Sequence, residues 1–530
     1  MTPTPPDRPR AAVYDRYWRS QGGGERHAGM VAQVLAADGA AVDLIGHEET
    51  DLDELADHLG LDLSACRYRQ VPDRGELALA EVTADYDLFV NATYMSRIPS
   101  KARRSAYLCF FPTPPDHDLS AWRKAVARRV GPHVSGIVEN IEYGKGWFPP
   151  EGGRRRTWVW TSGDGILTLP PGERRRLSFA IGRPGAPRPA TVRLVDDSGR
   201  EHAVLRAEAT WNSHVVDLGP SPEGAELHWL SDTFVPGGSA GGVDDRTLGV
   251  AVSRAHLVGA AFGPRQRLAG RFPWLLRSTV GGSWLDSYDV VLANSAYTAG
   301  WVGSLWGDGP AARTQVLYPP IATQELHPAG RREHAVVTVG RFFAPGLGHA
   351  KRQLEMVQAF GRLHMERRLP GWRLHVVGGC EPSQEPYLDA VRTAAAGLPV
   401  TVLTNAPRAE VERLLSTASI FWSATGLGAD AEAEPWNAEH FGMTTVEAMA
   451  GGCVPVVIDR AGQREIVREG VDGFRWDTLD DLLDRTVEVA RDEALRARLA
   501  ASAVGRAAAY DEDAFRTRWR SIAASADLLP

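Results

Sequence analysis

Short apolar runs recur along this chain, and most are followed by a segment with helical spacing. AAVYDR (11–16), AVDLIG (41–46), DLFVNA (87–92) and AYLCFF (106–111) make a first series, and GMVAQVLAADG (29–39) shows the helical period between two of them. Buried strands alternating with helices build a parallel, doubly wound sheet, because each parallel connection must cross back over the sheet and leaves a helix on its face. From about 140 to 258 the helical period is absent. RTWVWTS, GILTLPPG, RLSFAIG, ATVRLVDDSGR, HVVDLG, AELHWLSD and TLGVAVSRAHL are β-type runs set between PPG, GRPG, DDSGR and PGGSAGG turns. An all-β sandwich of about seven or eight strands is expected there.

The α/β texture then resumes. SYDVVLANS (287–295) and TQVLYPP (314–320) read as strands of the first series, with the Pro pair as a linker. A second series follows in HAVVTVGRF (334–342), WRLHVVGG (372–379), VTVLTN (400–405), ASIFWSAT (418–425) and CVPVVID (453–459). Two arginine-rich helical stretches, 480–510 and 512–525, close the chain. The expected class is α/β, with two Rossmann-like domains and an inserted all-β domain. The expected bounds are 1–139 with 259–318 for the first domain, 140–258 for the insert and 319–510 for the second. Residues 511–530 form a C-terminal helix that is expected to pack back on the first domain.

Composition excludes several classes. The formal charge of −7 argues against nucleic acid as a partner, which selects a basic face. No apolar stretch reaches the length of a membrane span, and MTPTPPDRPR lacks the apolar core of a secretory signal. The four cysteines, Cys66, Cys109, Cys380 and Cys453, have no metal-binding spacing, so no zinc site or disulfide framework is expected. Of 59 basic residues only Lys101, Lys124, Lys145 and Lys351 are lysines, which draws notice to each.

Open parallel sheets bind ligands beyond the carboxyl ends of their strands, so the loops there hold the candidate chemistry. Gly22-Gly23-Gly24-Glu25-Arg26 follows the first strand and opens a helix, a place where backbone amides can approach an anion. It also suits a plain strand-to-helix turn. In VGRFFAPGLGHAKRQ (339–353), Arg341 leaves a strand end and Lys351 stands ten positions later. Two cations there can clamp a diphosphate or lie on a solvated surface. EPWNAEHFGMTTVEAMAGGCVPVV (434–457) places Glu439 before a predicted helix over 443–450 and Glu447 within it. The amides from Phe441 through Gly442 and Met443 to Thr444 would then point from a helix N-terminus, and a carboxylate there accepts from sugar hydroxyls. Thr444 and Glu447 also fit a capping box, and Glu439 an ordinary loop acid.

Taken together, GGGER, VLYPP, VGRF…GHAKRQ, EHFGMTTVEAMAGGCVPVV with its two glutamates eight apart (the E-x7-E spacing), and GQREIVREGVDGF (462–474) resemble a retaining glycosyltransferase of the GT-B fold, in glycosyltransferase family four. The resemblance covers both α/β domains and implies that these two domains face a cleft. It implies that Arg341 and Lys351 hold a donor diphosphate, that Glu439 contacts the donor sugar, and that Glu447 binds the nucleotide ribose. Phe441, Gly442, Met443 and Thr444 line the donor site, and Gly23 and Gly24 close on it from the other domain. The implied activity is transfer of a mannose- or glucose-type hexosyl group from a GDP- or UDP-linked donor to a glycan, glycolipid or small-molecule acceptor, in the cytoplasm. EHFGM is closest to the form of GDP-mannose enzymes. No cofactor and no metal is implied. The alternatives are a catalytically silent glycan-binding or scaffold protein on this fold, and a sugar phosphorylase.

Two stretches depart from that pattern or add to it. Relatives carry a histidine where FFPTPPDHD (110–118) has Phe110, and His117 is a candidate substitute. The DHD string itself reads as a loop before the helix AWRKAVARRV (121–130). That helix and the stretch before it cluster Arg97, Lys101, Arg103, Arg104, Arg123, Lys124, Arg128 and Arg129 beside Trp122. Such a surface suits anionic lipid headgroups and peripheral contact at an inner membrane face, or else a solvated, ion-paired helix, which the acidic net charge favours. In the insert, Trp147, Trp158, Trp160, Trp211 and Trp229 fit a sandwich core or a sugar-stacking face.

Overall fold

The computed structural model describes residues 8–528 except 21, 72–75, 115, 118, 135–140, 144–145, 149–150, 154–155, 170–171, 222–224, 236–246, 259–271, 277–281 and 346–349. The first sheet contains β1 (Arg10–Tyr14), β2 (Ala41–Gly46), β3 (Cys66–Gln70), β4 (Leu88–Asn91), β5 (Arg104–Cys109), β6 (Val290–Ala293) and β7 (Thr314–Val316). They lie in the order β7-β6-β5-β4-β1-β2-β3, and every pairing is parallel. The side-chain period of two explains the continuous apolar runs. Ala11, Val13, Leu88, Val90 and Leu292 enter one buried cluster, while Ala12, Tyr14, Phe89 and Val291 enter another on the opposite face.

The second sheet contains β8 (Glu333–Val339), β9 (Arg373–Gly378), β10 (Val400–Thr404), β11 (Ala418–Ser423), β12 (Val454–Ile458) and β13 (Phe474–Trp476), in the order β10-β9-β8-β11-β12-β13. Both sheets therefore reverse direction of strand order beside their first strand, between β1 and β4 and between β8 and β11. That switch point is where open α/β sheets leave a crevice at the strand ends.

Between β5 and β6 the described residues build two five-stranded antiparallel sheets, ten strands that include short ones at Glu142–Tyr143 and Glu151–Gly153. The expected count was lower because those two pieces are too short to show alternation, and Glu201–Ala207, EHAVLRA, carries mixed polarity. Leu177, Phe179 and Ile181 of one sheet share an apolar cluster with Val192, Leu194 and Trp229 of the other. Trp229 is fully buried and Trp147 packs on it. Trp158, Trp160 and Trp211 join a second, smaller cluster. These tryptophans pack among insert side chains.

The chain passes between the two parallel sheets twice, and the passages touch. The Ile321 amide donates to the Tyr510 carbonyl at 3.0 Å, and Ile321 bridges Asp511. The helix Glu493–Ala507 packs Leu499, Ala503 and Ala507 on the second domain. The next helix, Glu512–Ser525, returns to the first, where Phe515, Trp519 and Ile522 enter the cluster holding Ala11 and Val31. Burying side chains of that size contributes roughly 1.5–3 kcal/mol each. Arg520 on Asp38 and Arg26 on Glu512 border the seam. The expected single stretch over 480–510 is two helices, broken at Asp492, whose carboxylate accepts the Leu495 amide and starts the second.

Candidate functional site

Helix Met443–Ala450 starts at Gly442, whose φ of +114° no side chain tolerates well. A Cβ at Gly442 would also lie 2.7 Å from the Gln463 amide nitrogen. The sharp entry exposes the first helical amides, which have no acceptor within the helix. No side chain caps this terminus, so Thr444 and Glu447 do not form a capping box. Glu447 instead accepts from the Arg408 guanidinium at 2.9 Å, and Arg408 also reaches Glu412 at 2.6 Å.

In front of that helix, Lys351 Nζ donates to Glu439, and Thr425 Oγ1 donates to the same carboxylate oxygen at 3.2 Å. The Lys351 and Glu439 side chains are only 23% and 16% exposed. A half-buried pair of this kind holds charge that an incoming diphosphate or sugar can take over. Lys351 lies against Gly340, where an added Cβ would come within 2.6 Å of its stem. Arg341 follows at the end of β8, exposed, and among the described residues its guanidinium makes no ion pair. Gln353 holds the loop's exit by donating to the Gly340 and Arg341 carbonyls, both at 3.0 Å. The intervening residues 346–349 lie outside the described residues.

The glycine loop of the first domain meets these groups across the cleft. A Cβ on Gly22 would come within 2.9 Å of the Arg341 guanidinium, and one on Gly23 within 2.5 Å of Met443 Sδ. A Cβ on Gly24 would lie 3.3 Å from the Phe110 ring. The Gly22 amide donates to Glu25 at 2.6 Å, which caps the first turn of helix Gly23–Ala37. Glu25 and Asp15 stand close. Burial first, then the Glu25 charge, push the Asp15 carboxyl well above its usual range, partly offset by the Tyr17 amide.

The structure thus brings Arg341, Lys351, Glu439, Met443 and the glycine loop together, with Glu447 one helical face away on Arg408. Phe110 packs beside the buried His27 and the glycine loop. His117 lies elsewhere, bonded to the Pro114 carbonyl and edge-on to Trp436. Asp118 lies outside the described residues. In the basic cluster, Lys101 pairs with Glu81, Arg104 with Asp289 and Asp527, and Arg123 and Lys124 lie over Trp274 and Trp436. Lys101 and Arg104 are thus ion-paired, whereas Arg123 and Lys124 lie over tryptophan rings. No described helix is long and apolar enough to cross a membrane, and no group of metal-ligating side chains occurs among the described residues.

Sequence reasoning missed Thr425, Arg408 and Glu465. In a chain with this many arginines nothing marks Arg408. Glu465 belongs to the GQREIV stretch and accepts from the Ala296 and Tyr297 amides, at 2.8 and 2.7 Å, and from the Tyr318 hydroxyl at 3.0 Å. It therefore sits on the N-terminus of helix Ala296–Trp306, in the opposite domain. Burial first, then the Glu465 charge, push the Tyr318 phenol well above its ordinary pKa, so it stays a donor. Phe111 stacks on His440 at 4.2 Å beside this contact.

Residues 332–505 match the family described as Glycosyl transferases group 1. The GDP-Man:Man(3)GlcNAc(2)-PP-Dol alpha-1,2-mannosyltransferase of Xenopus laevis is 29% identical over 215 residues, 37% of this chain and 40% of the relative. The Homo sapiens protein of the same description is 29% identical over 219 residues, 38% and 41% of the two chains. The chain thus matches about two fifths of the length of these curated relatives. Anabaena HepE, solved in complex with UDP-glucose, has a TM-score of 0.53 at 13% identity, covering 98% of this chain and 100% of that one. Residues 332–505 thus match a glycosyltransferase group 1 domain, the stretch shared with the relatives is homologous to part of these mannosyltransferases, and the two parallel sheets have the GT-B arrangement.

Proposed function

We propose that this chain is a retaining, metal-independent hexosyltransferase that uses a nucleotide sugar, GDP-mannose first and a UDP-linked hexose second. The observation that carries the reading is the Lys351–Glu439 pair at the head of helix Met443–Ala450, closed from the other domain by Gly22 and Gly23. Arg341, Lys351 and the amides of Met443 and Thr444 would meet the charge that develops on the departing diphosphate. Glu439 would accept from donor sugar hydroxyls once Lys351 turns to phosphate. Glu447, held by Arg408, would take the ribose, and Phe441 and Gly442 shape the donor wall. The acceptor hydroxyl bonds to the anomeric carbon as the bond to the diphosphate oxygen breaks, and its proton leaves on that oxygen. Closure of Gly22–Gly24 on Arg341 and Met443 excludes water from this step.

The names of the relatives support mannose as the sugar and a saccharide or lipid-linked acceptor. We place the enzyme in the cytoplasm, in peripheral contact with a membrane when the acceptor is lipid-linked. The antiparallel sheets of 141–258 are read as an inserted β-sandwich. A thermal-shift series with GDP-mannose, UDP-glucose and ADP-glucose tests the reading. GDP-mannose should raise the melting temperature in proportion to the logarithm of its concentration. If none of the three shifts it, the reading is wrong.

A further inference from the structure

At the carboxyl ends of β1, β2 and β4, beside the switch point of the first sheet, lies a cavity of about 250 Å³. Its polar wall carries Tyr14, His47, Thr93 and Ser96, and the rings of Tyr17 and Tyr94 border it with Arg16. Tyr17 is 47% exposed, a large ring left facing solvent. The catalytic candidates contribute nothing to this wall. The loop that carries Tyr17 runs on to Gly22, so the cavity shares a covalent wall with the closing loop.

The wall is held rigidly. His47 Nδ1 lies 3.1 Å from the Val71 carbonyl and so carries the proton there, which makes Nε2 an acceptor for the Tyr14 hydroxyl at 2.9 Å. Asn91, fully buried, donates to Ser96 Oγ at 3.1 Å and to the Tyr288 hydroxyl at 3.0 Å, and accepts the Thr93 amide at 3.2 Å. Tyr107 and Tyr288 hydroxyls fix the Ser96 and Ile98 carbonyls. Just before Ser96, Met95 is held at φ +59°, a conformation that a non-glycine residue keeps only where its surroundings impose it. Such a braced loop presents hydroxyls at fixed positions and needs no reordering when a ligand arrives.

We propose that this cavity is a subsite for one neutral sugar ring of the acceptor, with the Tyr17 ring as its stacking platform and the Tyr14 and Thr93 hydroxyls, the first oriented by His47, bonding its hydroxyls. The volume lies just below the range of pockets for larger ligands, roughly 300–1,000 Å³, and so fits one ring rather than a chain. An aromatic face beside several hydroxyl and imidazole groups suits a ring with one apolar face and an equatorial fringe of hydroxyls. The proposal deepens the transferase reading and rests on it only for the word acceptor.

The test is saccharide binding by the full chain, followed by ligand-observed NMR with methyl α-mannoside and methyl α-glucoside, and GDP binding by calorimetry on the same samples. Tyr17→Ala changes an exposed position, and His47→Asn removes the imidazole that orients the Tyr14 hydroxyl. Both should weaken saccharide binding about tenfold and leave GDP affinity unchanged. Saccharide binding equal to wild type in Tyr17→Ala and His47→Asn overturns the subsite. So does a wild-type protein that binds neither glycoside, or one that takes only inorganic phosphate there. A wild type that binds no GDP would instead overturn GDP-mannose as the donor, while the glycoside titrations still decide the cavity.

Discussion

His27 tests the packing of the first domain against the C-terminal helix. It is fully buried in helix Gly23–Ala37, edge-on to Phe110 at 6.0 Å and to Phe515 at 5.4 Å. Neither ring nitrogen has a hydrogen-bond partner. Burial alone pulls its pKa from 6.5 down to about 3, so the folded protein keeps it neutral. Because the folded pKa lies below the unfolded one, the unfolded chain binds the extra proton between those values, and stability falls as pH falls through that window. From about pH 7.5 to 5.5 the unfolded chain gains a tenfold advantage, a loss of about 1.4 kcal/mol. His27→Leu removes the two unpaired nitrogens, worth about 1–3 kcal/mol less the cost of an imperfect shape match. The variant should therefore equal or exceed wild type in guanidinium unfolding at the higher pH, and its margin should widen by about 1.4 kcal/mol at the lower pH. Taking variant minus wild type cancels every other titrating group, Asp15 included. Imidazole-labelled NMR gives the direct check. A His27 signal that titrates near its ordinary value, or a margin equal at both pH values, would refute the reasoning.

Two further substitutions probe the elements that position the site. Gly442→Ala forces a side chain onto φ +114° and into the Gln463 amide. It should destabilise by about 1–2 kcal/mol and weaken donor-nucleotide affinity severalfold, read by denaturation and calorimetry; unchanged affinity would separate helix entry from the site. Glu465→Gln removes the charge seated on the N-terminus of helix Ala296–Trp306. It should cost about 0.3–2 kcal/mol and lower hydrogen-exchange protection at Thr298 and its neighbours, with unchanged protection contradicting a role in holding the two domains together.

The strands legible in the sequence are those buried on both faces. AVDLIG is β2 to the residue, and ASIFWS, VPVVI and the core of HAVVTV are strands for the same reason. The strands it hid lie at edges or carry mixed polarity, as CRYRQ of β3 and FRW of β13 do. At the site, Arg341 stood out by leaving a strand end, Lys351 by the scarcity of lysine, and Glu439 by its spacing from Glu447 ahead of a helical segment. Partners such as Arg408, Thr425 and Glu465 were not legible, since a contact between residues far apart in sequence leaves no spacing to read. The same holds for the cavity between Tyr17 and His47, which three strand ends create jointly.

The central claim is that Lys351 and Glu439 form one donor-handling unit. Its direct measurement is release of GDP from GDP-mannose by wild type, Lys351→Ala, Glu439→Gln and the double variant, with folding checked by melting temperature. Each single variant should lose about a hundredfold or more in rate, and the double should lose far less than the product of the two, because groups acting as one unit are not additive. Singles with wild-type rates, or a double variant at the full product of the two losses, would contradict it.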